Sequence, residues 1–313
     1  MTSNTTDNQP LRSWLLLGFL SLVWGSSFIL IKKGLMAFSP GEVGAYRIVS
    51  AAAVLLPLSL PRIAKLNRKQ IGNLAVVGLV GSFLPAFLFA KAQTQLSSSI
   101  TGVLNALTPL FVVVIGALFF KAKITVRNGL GLLIAFIGVI ILISVKEGSS
   151  SITSLSSINA YALLVILATI CYGINLNIIK HWFNALKPVE ITAISLLLAL
   201  PVALGYLLLQ TDFTHKLIHE DGALMAAGYL TILGVLGTAV SLILFNGLVK
   251  IASPVFASSV TYLIPIVAIG WGVWDGEVLL PGHFMGMIAV ITGVWIGNRK
   301  KKKQVIAAPS SSA

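Results

Sequence analysis

Ten stretches of about twenty mostly apolar residues follow one another in this chain. They lie at roughly 13–33, 41–60, 71–91, 97–120, 127–145, 158–179, 188–209, 223–247, 254–274 and 281–298. Few folds accept such a pattern. A hydrocarbon layer about 30 Å thick is crossed by a helix of about 20 apolar residues, and inside it every backbone polar group must be bonded within the segment. The chain therefore reads as an all-α polytopic membrane protein with ten transmembrane helices. Composition agrees, since 57% of the 313 residues are hydrophobic and 10% are charged, against about 25% charged in a soluble domain. The first run follows Arg12, as a secretion signal would. Its apolar stretch is too long for that role, and no small-residue cleavage site is obvious after it.

A net charge of +13 would point to nucleic acid in a soluble protein. Here its distribution gives a different reading. With the N-terminus inside, sixteen of the 22 Lys and Arg residues fall in cytoplasmic segments, from Arg12 to the run Arg299–Lys303, and five fall outside: Lys32, Lys33, Lys91, Lys146 and Lys216. This is the positive-inside pattern. It places both termini in the cytoplasm of an inner (plasma) membrane protein and leaves no nucleic-acid partner to expect. The single cysteine, Cys171, lies in an apolar run and reads as a small core residue.

The chain also repeats itself. At a constant offset of 148 residues, Gly25, Lys32, Pro40 and Glu42 meet Gly173, Lys180, Pro188 and Glu190. At an offset of 156, Gly78, Gly81, Pro109 and Gly116 meet Gly234, Gly237, Pro265 and Gly272, and at 155 Gly131 and Gly138 meet Gly286 and Gly293. The expected organisation is a first five-helix repeat at 12–146, a polar linker EGSSSITSLSS at 147–157, and a second repeat at 158–298, with tails at 1–11 and 299–313. Five is odd, so the second half enters the membrane from the opposite side. Inverted repeats of this kind carry substrate sites near the midplane and work by alternating access.

Trp24-Gly25-Ser26-Ser27-Phe28, Arg47 in the second helix, and the run SPVFASSVTYLIPIVAIGWGVWDGE at 253–277 resemble the EamA-type branch of the drug/metabolite transporter superfamily. The resemblance covers about residues 12–298. It implies ten helices, cytoplasmic termini and movement of small metabolites, often the export of amino acids or related compounds. An acid commonly follows the proline-containing helix of each half in that family. Glu277 matches that position, whereas the first half has Lys121 and Lys123 there.

Four polar or aromatic pairs recur in mid-helix at the repeat offsets: Trp24/Tyr172, Ser27/Asn175, Ser82/Thr238 and Asn105/Thr261. A polar group in the hydrocarbon region needs a partner or a wet cavity, so these residues are candidates to line a central substrate site. The competing reading is that the hydroxyls bond their own i−4 carbonyls and the asparagines join helix to helix. Pro109 and Pro265 read as matched kinks or hinges. No Asp, Glu or His stands near the middle of any run, so a proton relay has no obvious carrier and neutral or zwitterionic cargo is expected. His215 and His219 have the spacing of two metal ligands on a helix. Without a recognised third ligand they read as a loop surface, and no metal or cofactor is expected.

Three functions were weighed on these grounds: a metabolite transporter, a carrier or flippase for a lipid-linked compound, and a membrane-embedded enzyme. The last lacks a catalytic constellation. Ser39-Pro40-Gly41-Glu42 has the spacing of a helix capping box, which reads Glu42 as punctuation. Arg47 lies six residues past Gly41, about 9 Å along the helix, within reach of either the outer surface or the bundle interior, and the family resemblance favours the interior.

Overall fold

The computed structural model describes residues 11–121, 124–145, 160–183, 186–251 and 260–298. The linker expected at 147–157 and, but for Leu11, the expected tails fall outside these residues. The spans are α1 (Leu11–Gly34), α2 (Pro40–Ile63), α3 (Arg68–Ala92), α4 (Ser98–Phe120) and α5 (Val126–Ser144) in the first half. The second half has α6 (Tyr161–Trp182), α7 (Pro188–Leu209), α8 (223–251), α9 (Val260–Trp274) and α10 (Pro281–Asn298). Seven of them are long and apolar enough to cross a bilayer by themselves, and α5, α9 and α10 are shorter apolar helices. Leu118, Phe119, Leu209 and Trp274 are each at least 70% exposed. Such a surface suits hydrocarbon, which removes any drive to bury it.

The packing obeys the pseudo-twofold that the repeat predicts. Helix α2 lies against its counterpart α7, and α5 against its counterpart α10. Helix α4 also meets its counterpart α9, and other contacts come in exchanged pairs: α1 with α9 mirrors α6 with α4, and α1 with α8 mirrors α6 with α3. Single glycines show the same relation. Gly25 abuts Val267 while its counterpart Gly173 abuts Phe111, and Gly78 abuts the Ser195 carbonyl while Gly234 abuts the Arg47 carbonyl. Each absent side chain lets two helices close to backbone contact, the usual way to gain packing energy when no water drives association. The tightest seam joins α5 to α10, where Gly131 faces the backbone of Gly293 and Gly297, and Gly138 faces Gly286 and Val290.

Three of the spans are not continuous α-helices. Helix α4 is interrupted between Asn105 and Thr108, with Pro109 in the first turn of the renewed helix. Pro265 stays inside α9. Helices α3 and α8 each widen to a π-helical turn, at Leu79–Phe83 and Val235–Val240. These turns occupy matching places in the two halves, yet their chemistry differs. In α3, Pro85 has no N–H to give to the carbonyl four residues back, so the ladder is displaced. Its counterpart is Ser241, whose hydroxyl instead donates to the Leu236 carbonyl five residues back at 2.6 Å. Thr238 donates to Leu233 O with the same spacing at 3.4 Å.

The helix-start reading of Glu42 is realised and extended. Ser39 N–H donates to Glu42 Oε2 at 2.6 Å, and Glu42 N–H donates to Ser39 Oγ at 3.3 Å. The buried Glu42 carboxylate also receives Lys216 Nζ at 2.9 Å. That lysine lies on a short helix, Phe213–His219, in the stretch read as a loop. At the other membrane face Glu190 takes Arg62 Nε at 3.1 Å. Helix α2 is thus ion-paired to the second half at both ends, through the short helix at one and through α7 at the other.

A candidate central binding site

The π turns collect the mid-membrane polar residues. Trp24 on α1 donates its indole N–H to the Gly237 carbonyl inside the α8 π turn at 3.0 Å, and its ring packs against Phe245. Ser27, one turn further on, faces the bare Cα of Gly237 and spends its hydroxyl on the Val23 carbonyl at 3.1 Å. Its contribution is thereby the local hydrogen bond that competes with a site role. Arg47 points inward. Its Nε donates to Thr238 Oγ1 at 3.1 Å, and its guanidinium lies near Tyr172 on α6. Tyr172 stacks on Phe89 of α3. Three residues on, Asn175 sits against Gly81, beside Ser82 in the α3 π turn.

Six of the nine candidates therefore lie along one chain of contacts and sequence neighbours: Trp24 and Ser27 at Gly237, Thr238 beside it, Arg47 on Thr238, and Tyr172 and Asn175 on α6, with Ser82 adjoining Gly81. Asn105 stands at the interruption of α4, where its own carbonyl accepts from the Thr108 hydroxyl at 2.8 Å. Thr261 lies one residue into α9 and is already engaged. Neither is tied to that chain by a contact described here. The Oδ1 atoms of both Asn105 and Asn175 are buried and without a hydrogen-bond partner. An orphaned buried acceptor costs about 1–3 kcal/mol. With the Arg47 guanidinium, these two mid-span acceptors suit a ligand that brings both N–H donors and a carboxylate.

Sequence comparison of the halves passed over three further groups. The π turns themselves leave only an indirect trace, in the paired glycines and in Pro85 opposite Ser241. Asn177, whose counterpart is Ile29, is buried and donates from Nδ2 to the carbonyls of Val112 and Gly173, both at 2.9 Å, so it is the asparagine that joins α6 to α4. The third is a carboxylate latch at the end of the bundle where α1 stops and α4 begins. Glu277 accepts from the N–H and hydroxyl of Ser98 (both 2.8 Å), the N–H (3.1 Å) and hydroxyl (2.7 Å) of Ser99, and Lys32 Nζ (3.0 Å). Asp275 pairs with Lys32 at 2.8 Å and with Lys33. Lys32 thus ties the end of α1 to the start of α4 and the end of α9.

Burial would raise the Glu277 carboxyl, but the hydroxyls of Ser99 and Ser98, the Ser98 N–H and Lys32 together hold it below the ordinary carboxylate range. Hydrogen bonds from Lys32 and then Lys33 lower Asp275 as well. Both acids are ionised more readily folded than unfolded. The latch therefore stabilises in full above the usual carboxyl range of about 4 to 4.5, and its contribution fades as pH falls below it. A Glu277→Gln variant in detergent should melt several degrees lower than the parent at neutral pH, with the gap closing below about pH 4. A gap unchanged across that window would show that the carboxylate is not what holds the three helices.

The EamA-like transporter family matches residues 12–144 and 159–299. The chain is 23% identical to an uncharacterized transporter of Archaeoglobus fulgidus across 93% of this chain and 100% of that protein. It is 25% identical to the uncharacterized inner membrane transporter YedA of Escherichia coli K12, covering 88% of this chain and 87% of that one. A solved crystal structure superposes with a TM-score of 0.59 at 15% identity, spanning 91% of this chain and 96% of its own.

Proposed function

Because the chain belongs to the EamA-like transporter family, and is thus a multi-pass membrane transporter of the drug/metabolite superfamily, we propose that it exports small zwitterionic or neutral metabolites, amino acids first among them, by alternating access. The carrying observation is the inward-facing Arg47 guanidinium held by Thr238, with the orphaned mid-span carbonyl oxygens of Asn105 and Asn175 in support. Arg47 meets a carboxylate, and the asparagine oxygens accept from an ammonium. Trp24 and Tyr172 supply flat apolar walls. In this reading the halves are 12–146 and 158–298, both tails are cytoplasmic, and the protein resides in the inner (plasma) membrane. Support for that placement comes from the skew of Lys and Arg and from the E. coli relative's name.

The α2–α7 and α5–α10 pairs straddle the pseudo-twofold, so they serve as the surfaces across which the halves rock. The matched π turns lend themselves to the bending step, since such turns concentrate at functional sites in helices. Counterflow in proteoliposomes, run with a panel of amino acids and related metabolites, tests the reading. At least one member should accumulate, and Asn105→Ala and Asn175→Ala should each slow it about 5- to 100-fold without loss of protein from the membrane. Lipid scrambling with no accumulation would overturn it in favour of a lipid-linked cargo.

A further inference from the structure

The outer ends of α1 and α3, and the turn between α1 and α2, enclose a cleft of about 470 Å³, within the range of small-molecule sites. Gln93 lines it, and its amide is buried. Gln93 is 7% exposed, and neither Oε1 nor Nε2 has a hydrogen-bond partner. Leaving both halves of a buried amide unmatched costs about 1–3 kcal/mol for each. Lys32 lines the same cleft. Its ammonium has three N–H groups, of which Asp275 and Glu277 take two. Leu35, Met36 and Phe38 form an apolar wall, and Thr94 sits exposed at the rim.

We propose that this cleft is a second ligand site, facing the outside and taking an apolar α-amino acid as its zwitterion. The carboxylate would accept from Gln93 Nε2 and the remaining Lys32 N–H, the ammonium would donate to Gln93 Oε1, and the side chain would lie on Leu35, Met36 and Phe38. An amide is suited to this task because it offers a donor and an acceptor on one edge. The site is distinct from the central one: Lys32 lies eight residues, about 12 Å, along α1 from Trp24. It borders the latch through Lys32, so a molecule leaving or arriving at the outer face meets it there.

The test reads occupancy without transport. In the full chain carrying Cys171→Ala, the rim substitution Thr94→Cys is labelled from outside in intact cells with a membrane-impermeant methanethiosulfonate. Millimolar L-leucine should slow labelling about threefold or more, as mass action requires at twice the dissociation constant. N-acetyl-L-leucinamide, which lacks both charges, should not. Adding Gln93→Leu should abolish protection while labelling without leucine proceeds at the parental rate, which also reports that the protein is folded. Adding Asn175→Ala should leave protection intact even where counterflow is lost, separating this site from the central one. Equal protection with and without Gln93→Leu, protection by the uncharged analogue, no protection by leucine, or its loss with Asn175→Ala would each overturn the proposal.

Discussion

Arg47→Ala is expected to cut counterflow of a zwitterionic substrate by about 10- to 100-fold, the scale of one lost charge-assisted hydrogen bond. Its Nε holds Thr238 in one π turn and its guanidinium faces Tyr172. Removing it takes away the proposed carboxylate partner and unties α2 from α8. Arg47→Lys separates the two effects. A lysine keeps the charge as a point without the planar fork, so it should restore part of the affinity for a carboxylate and little of the bond to Thr238. Substrates without a carboxylate should be affected less than zwitterions in both variants. Counterflow of both kinds, measured at matched protein density, checks this. An equal loss for both would assign Arg47 to joining helices and remove it from the cargo site.

The largest effect on stability is expected at Gly78. A methyl group there would lie inside contact distance of the Ser195 carbonyl, which is backbone and cannot swing aside. Overpacking of this kind costs about 1–3 kcal/mol. Gly78→Ala should lower the melting midpoint by several degrees or prevent insertion as a monodisperse species, read by fluorescence-detected size exclusion after heating. Gly129→Ala is the control, because nothing lies within 4 Å of the added carbon. It should be neutral or slightly stabilising, as alanine is the better helix former. If the two variants melt alike, α3 and α7 do not meet as closely as described.

Much of this architecture was written in the order of residues. Lipid gives a span almost no alternative to a helix, so runs such as 188–209 return as α7 with the same limits. The constant offsets announce the inverted repeat, and the exchanged contacts of Gly25 with Val267 and Gly173 with Phe111 realise it between helices. The capping box at Ser39 is a local feature and was legible for that reason.

What sequence did not disclose depends on contacts far along the chain or on hydrogen-bond register. Lys32 and Glu277 are 245 positions apart. Comparing the halves could not pair them, because the counterpart of Glu277 is Lys121 and that of Lys32 is Lys180, two like charges. A π turn leaves the apolar pattern almost untouched, since one extra residue in the ladder alters geometry more than composition. Asn177 escaped because its counterpart is Ile29, and symmetry finds only what both halves keep. Gln93 lies at the polar end of a span, where an amide attracts no notice until its burial is known.

The inward-facing arginine also has an electrical consequence. Voltage across the membrane acts on a unit charge by about 2.3 kcal/mol per 100 mV over the whole field, and in proportion over part of it. A zwitterion carries no net charge, so with such a cargo the field grips the carrier and not the load. In the proposed alternating-access cycle Arg47 would return to its starting depth, so the field would do no net work on a zwitterionic cargo. Membrane potential would then weight how long the protein dwells with its guanidinium nearer one face.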